Sequence, residues 1–244
     1  MKLYKYKEFF APTGDDYERL RSILEGCAFW CAQPAALNDP QEFVWFCDFE
    51  HSEATVSLLS ALLVKFNGTA EAVARAQAMA AVTQRRLEAL ARPVFESIVS
   101  NCRNELGVVS FGVDSNNPCL WQRYGGVGAG VCVELEVPAE LLGTALHKVC
   151  YLPTKSMPVD EILHAFLNLP NSRAIYSLAL LSKPLAWTPE AEVRFVSKMH
   201  SVEVRMQDSH ISGIVLGNNL SASVRAELEK LLASLSRPLP ILPN

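Results

Sequence analysis

From residue 52 to about 106 the chain carries helical periodicity, and the segments on either side of that block read as short strands. Ser52–Phe66 is one expected helix, and Asn67-Gly68-Thr69 breaks it. A longer helix is expected to run on to about Leu106, with Val73, Ala76, Ala80, Leu87, Leu90, Val94 and Ile98 on its apolar stripe and a kink at Pro93. Helices gathered into one block between strands predict an α+β fold. The expectation is a mixed or antiparallel twisted sheet core, a helical lobe inserted at about 52–106, and a C-terminal helix. Residues 1–237 form one domain in this reading, and 238–244 form an extended tail.

The flanking segments support the strand reading. Leu3–Tyr6 alternates apolar and basic residues. Asp15 offers an N-cap with Glu18 three residues on, and Gly26 suits the end of that helix. Further strands are expected at Cys27–Ala32, Val108–Val113, Val131–Val137, His147–Leu152, Glu190–Ser197 and Ile211–Leu216. Short helices are expected at Leu120–Tyr124, Pro138–Ala145, Val159–Leu167 and Ser172–Leu181. A last helix starts near Ser221 or Ser223.

Composition excludes several classes. Half of the residues are apolar and a fifth charged, which is globular and not disordered. The net charge of −4 provides no general basic field and speaks against a nucleic-acid partner. Seven cysteines show no framework spacing and no C-x-x-C pair, so they read as small buried residues in a reducing compartment. No H-E-x-x-H or similar metal motif occurs, and no metal is expected. No apolar run approaches the ~20 residues of a membrane span, and the start of the chain has no signal-peptide pattern. A cytoplasmic protein without a membrane partner is the expectation.

Two constellations carry chemical meaning. The first is Trp187-Thr-Pro-Glu190-Ala-Glu192-Val-Arg194-Phe195. On a strand, Glu190, Glu192 and Arg194 would share one face, while Ala191, Val193 and Phe195 would enter the core. Adjacent carboxylates raise each other's proton affinity, which suits general acid–base work, and Arg194 can clamp an anion. A solvated strand face with an internal Glu–Arg pair is the competing reading. The second is Trp121-x-x-Tyr124, two aromatics on one helix face that can stack on a planar ring or simply fill the core. The glycine-rich loop Gly125–Gly130 has a helix before it and a strand after it, the reverse of a dinucleotide fingerprint. Its glycines fit a mobile connection, or a place where a ligand approaches the backbone closely.

Taken in order, Leu3-Tyr4-Lys5-Tyr6, Gly26, Asn38-Asp39-Pro40, Ser110-Phe111, Trp121 with Tyr124, Gly130-Val131-Cys132, Trp187 with Glu190, Glu192 and Arg194, and Ile214-Val215-Leu216-Gly217 span nearly the whole chain. In that order and spacing the chain resembles the bacterial domain of unknown function 2971 family. Its layout is also similar, at a distance, to that of ADP-ribosyltransferases, although lysine stands where those have arginine or histidine on the first strand. The resemblance implies NAD as substrate. It implies Glu192 as the carboxylate that binds the ribose and stabilises an oxocarbenium-like transition state, with Glu190 orienting the acceptor. Lys5 would hold the phosphates or ribose, and Tyr124 would stack on the nicotinamide. Tyr6, Asn38, Asp39, Trp121 and Arg194 complete the implied nucleotide site. The implied function is an NAD-using transferase or glycohydrolase acting in conflict or stress, with a small-molecule nucleotide and a protein partner or target. A non-catalytic module for a nucleotide or anionic ligand, and a protein-interaction module using the helical lobe, are the alternatives.

Overall fold

The computed structural model describes residues 1–9, 15–37, 46–84, 86–154, 156–167, 180–206 and 209–243. The fold is α+β, with mixed and antiparallel sheets. The chain forms two compact units: Met1–Gln33, Leu106–Val149 and Leu185–Asn244 make the first, and Pro34–Glu105 with Cys150–Pro184 the second.

The first unit is built on β1 (Lys2–Lys7), β2 (Ala28–Cys31), β4 (Gly107–Phe111), β5 (Val131–Glu136), β6 (Leu146–Lys148), β10 (Val193–Ser197), β11 (Val202–Arg205), β12 (His210–Leu216) and β13 (Ile241–Leu242). One sheet runs β1-β5-β12-β13, a second β4-β10-β6, and a third pairs β11 with β2. All these pairings are antiparallel except β12 with β13. The residues at 241–242, expected as an extended tail, are thus a parallel edge strand. The central strand β5 is buried at five successive positions, Val131 to Leu135, so its two faces feed two cores. Val131, Val133 and Leu135 meet α1 (Asp15–Gly26) through Leu20, Ile23 and Leu24, and α7 (Ala222–Ser234) through Leu228, Leu231 and Leu232. Cys132 faces the other way and packs with Tyr6, Leu120 and Val215.

The outer edge of β4 joins the three sheets. Along an antiparallel strand, alternate residues turn their N–H and C=O to the same neighbour. On β4 the even positions face away from β10. Val108 exchanges hydrogen bonds of 2.8 and 3.0 Å with Ala32, just beyond β2. Gly112, just beyond β4, exchanges bonds of 2.8 and 3.0 Å with Tyr4 of β1. Between them Ser110 has neither strand beside it, and its carbonyl accepts from the Lys5 ammonium at 2.9 Å. Lys5 therefore closes the gap where β1 and β2 diverge.

The second unit holds α2 (Glu53–Asn67), α3 (Glu71–Thr83), α4 (Leu87–Glu105) and α6 (Val159–Leu167). It also holds the parallel pairs β3 (Phe46–Asp48) with β8 (Ser156–Pro158), and β7 (Cys150–Leu152) with β9 (Ser182–Pro184). Ser52 and Thr55 cap α2 reciprocally, and both hydroxyls reach the Asp160 carboxylate at the start of α6. No helix among the described residues is long and apolar enough to cross a membrane.

Several expected elements are corrected. The long helix is two helices, α3 and α4. The Arg86 N–H reaches back five residues to the Ala81 carbonyl at 2.8 Å, a wide closing turn that ends α3. The buried stripe of α3 is Ala74, Ala78 and Val82, while Val73 is 50% exposed. Ala78 and Val82 of this stripe pack with Val56 and Leu58 of α2. His147–Leu152 is interrupted at Val149, whose N–H is taken by the Glu192 carbonyl at 3.0 Å. Pro138–Ala145 contains only the 3-10 turn Ala139–Leu141. Most of Ser172–Leu181 lies outside the described residues.

Candidate functional site

The strand expected over Glu190–Ser197 begins only at Val193. Leu185–Glu190 is a 3-10 helix containing Pro189, and Ala191 adopts a left-handed conformation with φ 45°. A non-glycine residue there costs roughly 1–2 kcal/mol. Ala191 is exposed, not in the core as alternation predicts. This corner separates the two carboxylates. Glu190 is 1% exposed, Glu192 6% and Arg194 1%. The shared solvated face is therefore replaced by three buried charged groups.

Each carboxylate has its own arginine. Arg194 donates from Nε to Glu192 Oε1 at 2.7 Å and from Nη2 to Oε2 at 3.2 Å, a bidentate pair on one side of β10. Glu190 Oε1 accepts from Arg123 Nη1 at 3.1 Å. Arg123 comes from the last turn of α5 (Pro118–Tyr124), and its guanidinium lies 4.1 Å from the centre of the Trp187 ring. Asn117 caps α5 and donates to the Pro189 carbonyl at 2.6 Å, tying α5 to the corner. Glu190 thus sits behind a stacked arginine that is itself 39% exposed.

Lys5 belongs to the same neighbourhood. It is half-buried, with its ammonium turned inward to the Ser110 carbonyl. Ser110 is the cross-strand partner of Arg194. Burial and the charge of Lys7 lower the Lys5 pKa from 10.5 to about 8, while the Glu192 carboxylate acts in the opposite direction. Between pH 8 and 10.5 the unfolded chain therefore binds more protons at this position than the folded chain. Stability gains from Lys5 as pH rises through that window, and the burial cost is fully present below it. The gain is about 1–3 kcal/mol. Denaturant midpoints measured from pH 7.5 to 10.5 should show a rise in the wild type that Lys5→Met flattens.

The other expected binding residues fall on the opposite face of β1. Tyr6 is buried. Its hydroxyl donates to the Asp114 carbonyl and accepts from the Asn117 N–H, which fixes the loop before α5. Trp121 packs edge-on to Tyr6 at 5.1 Å and donates from Nε1 to the Ser115 carbonyl at 2.8 Å. Trp121 and Tyr124 are half-buried against the cluster of Tyr6, Leu120, Cys132 and Val215. The structure thus brings Lys5, Glu192 and Arg194 together, and Tyr6, Trp121 and Tyr124 together on the other side of β1. Glu190 joins neither group directly and is held by Arg123 of α5. Asn38 and Asp39 lie outside the described residues.

The glycine loop is pinned at both ends. Gly126, Val127 and Gly128 all have positive φ. Asn219 donates from Nδ2 to the Val127 carbonyl at 2.8 Å. The glycines serve close approach of the protein's own backbone. A Cβ on Gly130 would stand 2.2 Å from the Lys7 carbonyl oxygen, and one on Gly217 would stand 2.1 Å from that of Gly128.

Sequence reasoning missed Arg123, Asn117 and Glu134. Arg123 carried a signal, an arginine between two aromatics one turn from a glycine break. Glu134 is buried on β5, and its carboxylate accepts from Tyr4, Lys2 and Ser212 at 3.2, 2.8 and 2.8 Å. Burial raises its proton affinity, but the bonds from Lys2, Ser212 and Tyr4 outweigh it and hold the carboxyl below its usual range. Among the described residues no group of three His, Cys, Asp or Glu side chains is arranged to hold a metal. No protein-family model, curated protein or solved structure matches the chain.

Proposed function

We propose that the corner at Ala191 handles a nicotinamide dinucleotide in the cytoplasm and breaks its N-glycosidic bond, passing ADP-ribose to an acceptor or to water. The observation that carries this reading is a strained, exposed Ala191 set between two buried carboxylates, each oriented by its own arginine. Backbone strain of this kind gathers at functional sites. When the bond breaks, its electron pair leaves with the nicotinamide nitrogen, and positive charge develops at the ribose carbon. A carboxylate fixed in place beforehand stabilises that charge without reorganising. Glu192, held at both oxygens by Arg194, takes that part, and Glu190 orients the incoming hydroxyl or water. The nucleophile then bonds to the ribose carbon and gives up its proton. Arg123 on Trp187 offers a cation and a flat ring at the exposed edge, for the pyrophosphate and a base. The roles of Lys5, Tyr6, Asn38, Asp39, Trp121 and Tyr124 in holding the dinucleotide rest on the resemblance of the sequence.

The test is release of nicotinamide from labelled NAD with candidate protein acceptors. Wild-type release should fall by roughly 10²–10³ in Glu192→Gln, the loss seen when one stabilising group is removed. Release unchanged by the substitution overturns the assignment.

A second reading, a non-catalytic module for an anionic ligand, is favoured by one observation: both carboxylates already have arginine partners, while Arg123 keeps an exposed face. NAD that is bound but not consumed, raising the thermal midpoint, distinguishes it.

A further inference from the structure

The segment after α7 is laid on the first unit by one of its faces. Leu239 and Leu242 are half-buried, Leu239 against the main core cluster and Leu242 against that of Tyr6, Leu120, Cys132 and Val215. Arg237, Pro238, Pro240, Ile241 and Pro243 are exposed. A pleated strand with one face on a core buries every second side chain. Here the inward side chains stand three positions apart, the spacing of a polyproline II helix with its about three residues per turn. Pro238, Pro240 and Pro243 favour that backbone, because each ring holds its own φ near about −65° and turns the residue before it away from the α region.

The seat for this segment fits it closely. The Ile214 N–H donates to the Pro240 carbonyl at 3.0 Å. A Cβ on Gly213 would stand 2.7 Å from Leu242 Cγ and 2.9 Å from the Pro240 carbonyl oxygen. The backbone is therefore held against β12 while a second face stays outward. Arg237, Pro240 and Pro243 recur at the same interval as the two leucines, so on a three-residue turn they line up along that outward face. From Leu231 to Pro243 the only charged residue is Arg237. The face thus offers two proline rings in a row with a cation at one end.

We propose that this face is read by a partner domain whose groove is lined with aromatic rings, with Pro240 and Pro243 between the rings and a carboxylate of the partner on Arg237. Flat rings pack on proline rings, and a segment already held extended loses little entropy when it docks. A guanidinium selects a carboxylate through paired hydrogen bonds, which fixes the direction in which the segment lies in the groove. The segment shares no residue with the Ala191 corner, so this binding does not depend on nicotinamide chemistry.

Titrating isolated SH3, WW and EVH1 domains into the isotope-labelled full chain tests this. At least one of them should bind saturably, shifting the amide resonances of Arg237, Ile241 and Leu242 and leaving those of α2 in place. The same domain with its groove tryptophan replaced by alanine should not bind. Pro240→Ala, Pro243→Ala and Arg237→Gln should each weaken binding by about tenfold or more. Pro238→Ala, on the remaining face, should change it by less than about twofold. Thermal midpoints of all four variants should stay near that of the wild type, because the side chains are exposed. The proposal is overturned if no domain binds, if binding survives the double alanine variant of Pro240 and Pro243, or if Pro238→Ala costs as much as Pro240→Ala.

Discussion

Arg194→Met is expected to lower the unfolding free energy by about 3–5 kcal/mol, the cost of removing one partner from a buried ion pair. Arg194 is 1% exposed, and it is among the largest fully buried side chains of the described residues. Its guanidinium satisfies both oxygens of Glu192. Methionine fills much of the volume but leaves a carboxylate that is only 6% exposed facing an apolar group. The double variant Glu192→Gln with Arg194→Met removes both charges and should recover more than half of that loss. A double-mutant cycle read by urea denaturation isolates the coupling. Additive single losses would mean that the bidentate geometry contributes nothing to the folded state.

Gly217→Ala is the second large effect. The turn after β12 passes so close to the glycine loop that an added methyl group would stand 2.1 Å from the Gly128 oxygen and 2.6 Å from its carbonyl carbon. Backbone cannot yield as the end of a flexible side chain can. Both strands of this contact are also tied, by the Gly217 N–H on the Gly130 carbonyl at 3.0 Å and the Asn219 N–H on the Gly128 carbonyl at 2.8 Å. The cost is expected at or above about 3 kcal/mol, the upper end for forced overpacking. Gly143→Ala is the control. Nothing lies within 4 Å of its Cβ, so only its φ of +85° opposes the substitution, at about 1–2 kcal/mol. Thermal unfolding of the two variants should differ by several degrees. Equal midpoints would show that the loop moves aside freely.

Local order was legible in the sequence and long-range pairing was not. The alternation of Leu3 to Tyr6, the Asp15 to Gly26 helix and the Ser221 cap all depend on neighbours within one turn, and each stands where the sequence places it. The apolar run Val131–Val133 pointed to a strand, and burial on both faces explains why that run does not alternate. The parallel strands β3 with β8 and β7 with β9 are three residues each and join distant segments, so no periodicity marks them.

At the candidate site, residue types were readable and their arrangement was not. Alternation put Glu190, Glu192 and Arg194 on one strand face, because nothing about an alanine announces a left-handed backbone. The corner at Ala191 then gives Glu190 to Arg123, 67 positions away in sequence, and leaves Glu192 to Arg194. The alternation of Leu3 to Tyr6 does not say where the Lys5 ammonium turns. Its inward turn follows from the divergence of β1 and β2 along β4, which only the assembled sheet reveals.

The indole N–H resonances of the tryptophans test most directly the proposal that the Ala191 corner holds a dinucleotide. Trp187 stacks on Arg123 at the exposed edge of the corner, whereas Trp30 stacks on Arg19 at 4.6 Å and lies on β2 opposite Glu203 of β11. Titrating NAD into the labelled protein should move the Trp187 resonance along a saturable curve and leave that of Trp30 in place. No shift at Trp187 up to millimolar NAD, or equal shifts at both, would contradict the assignment.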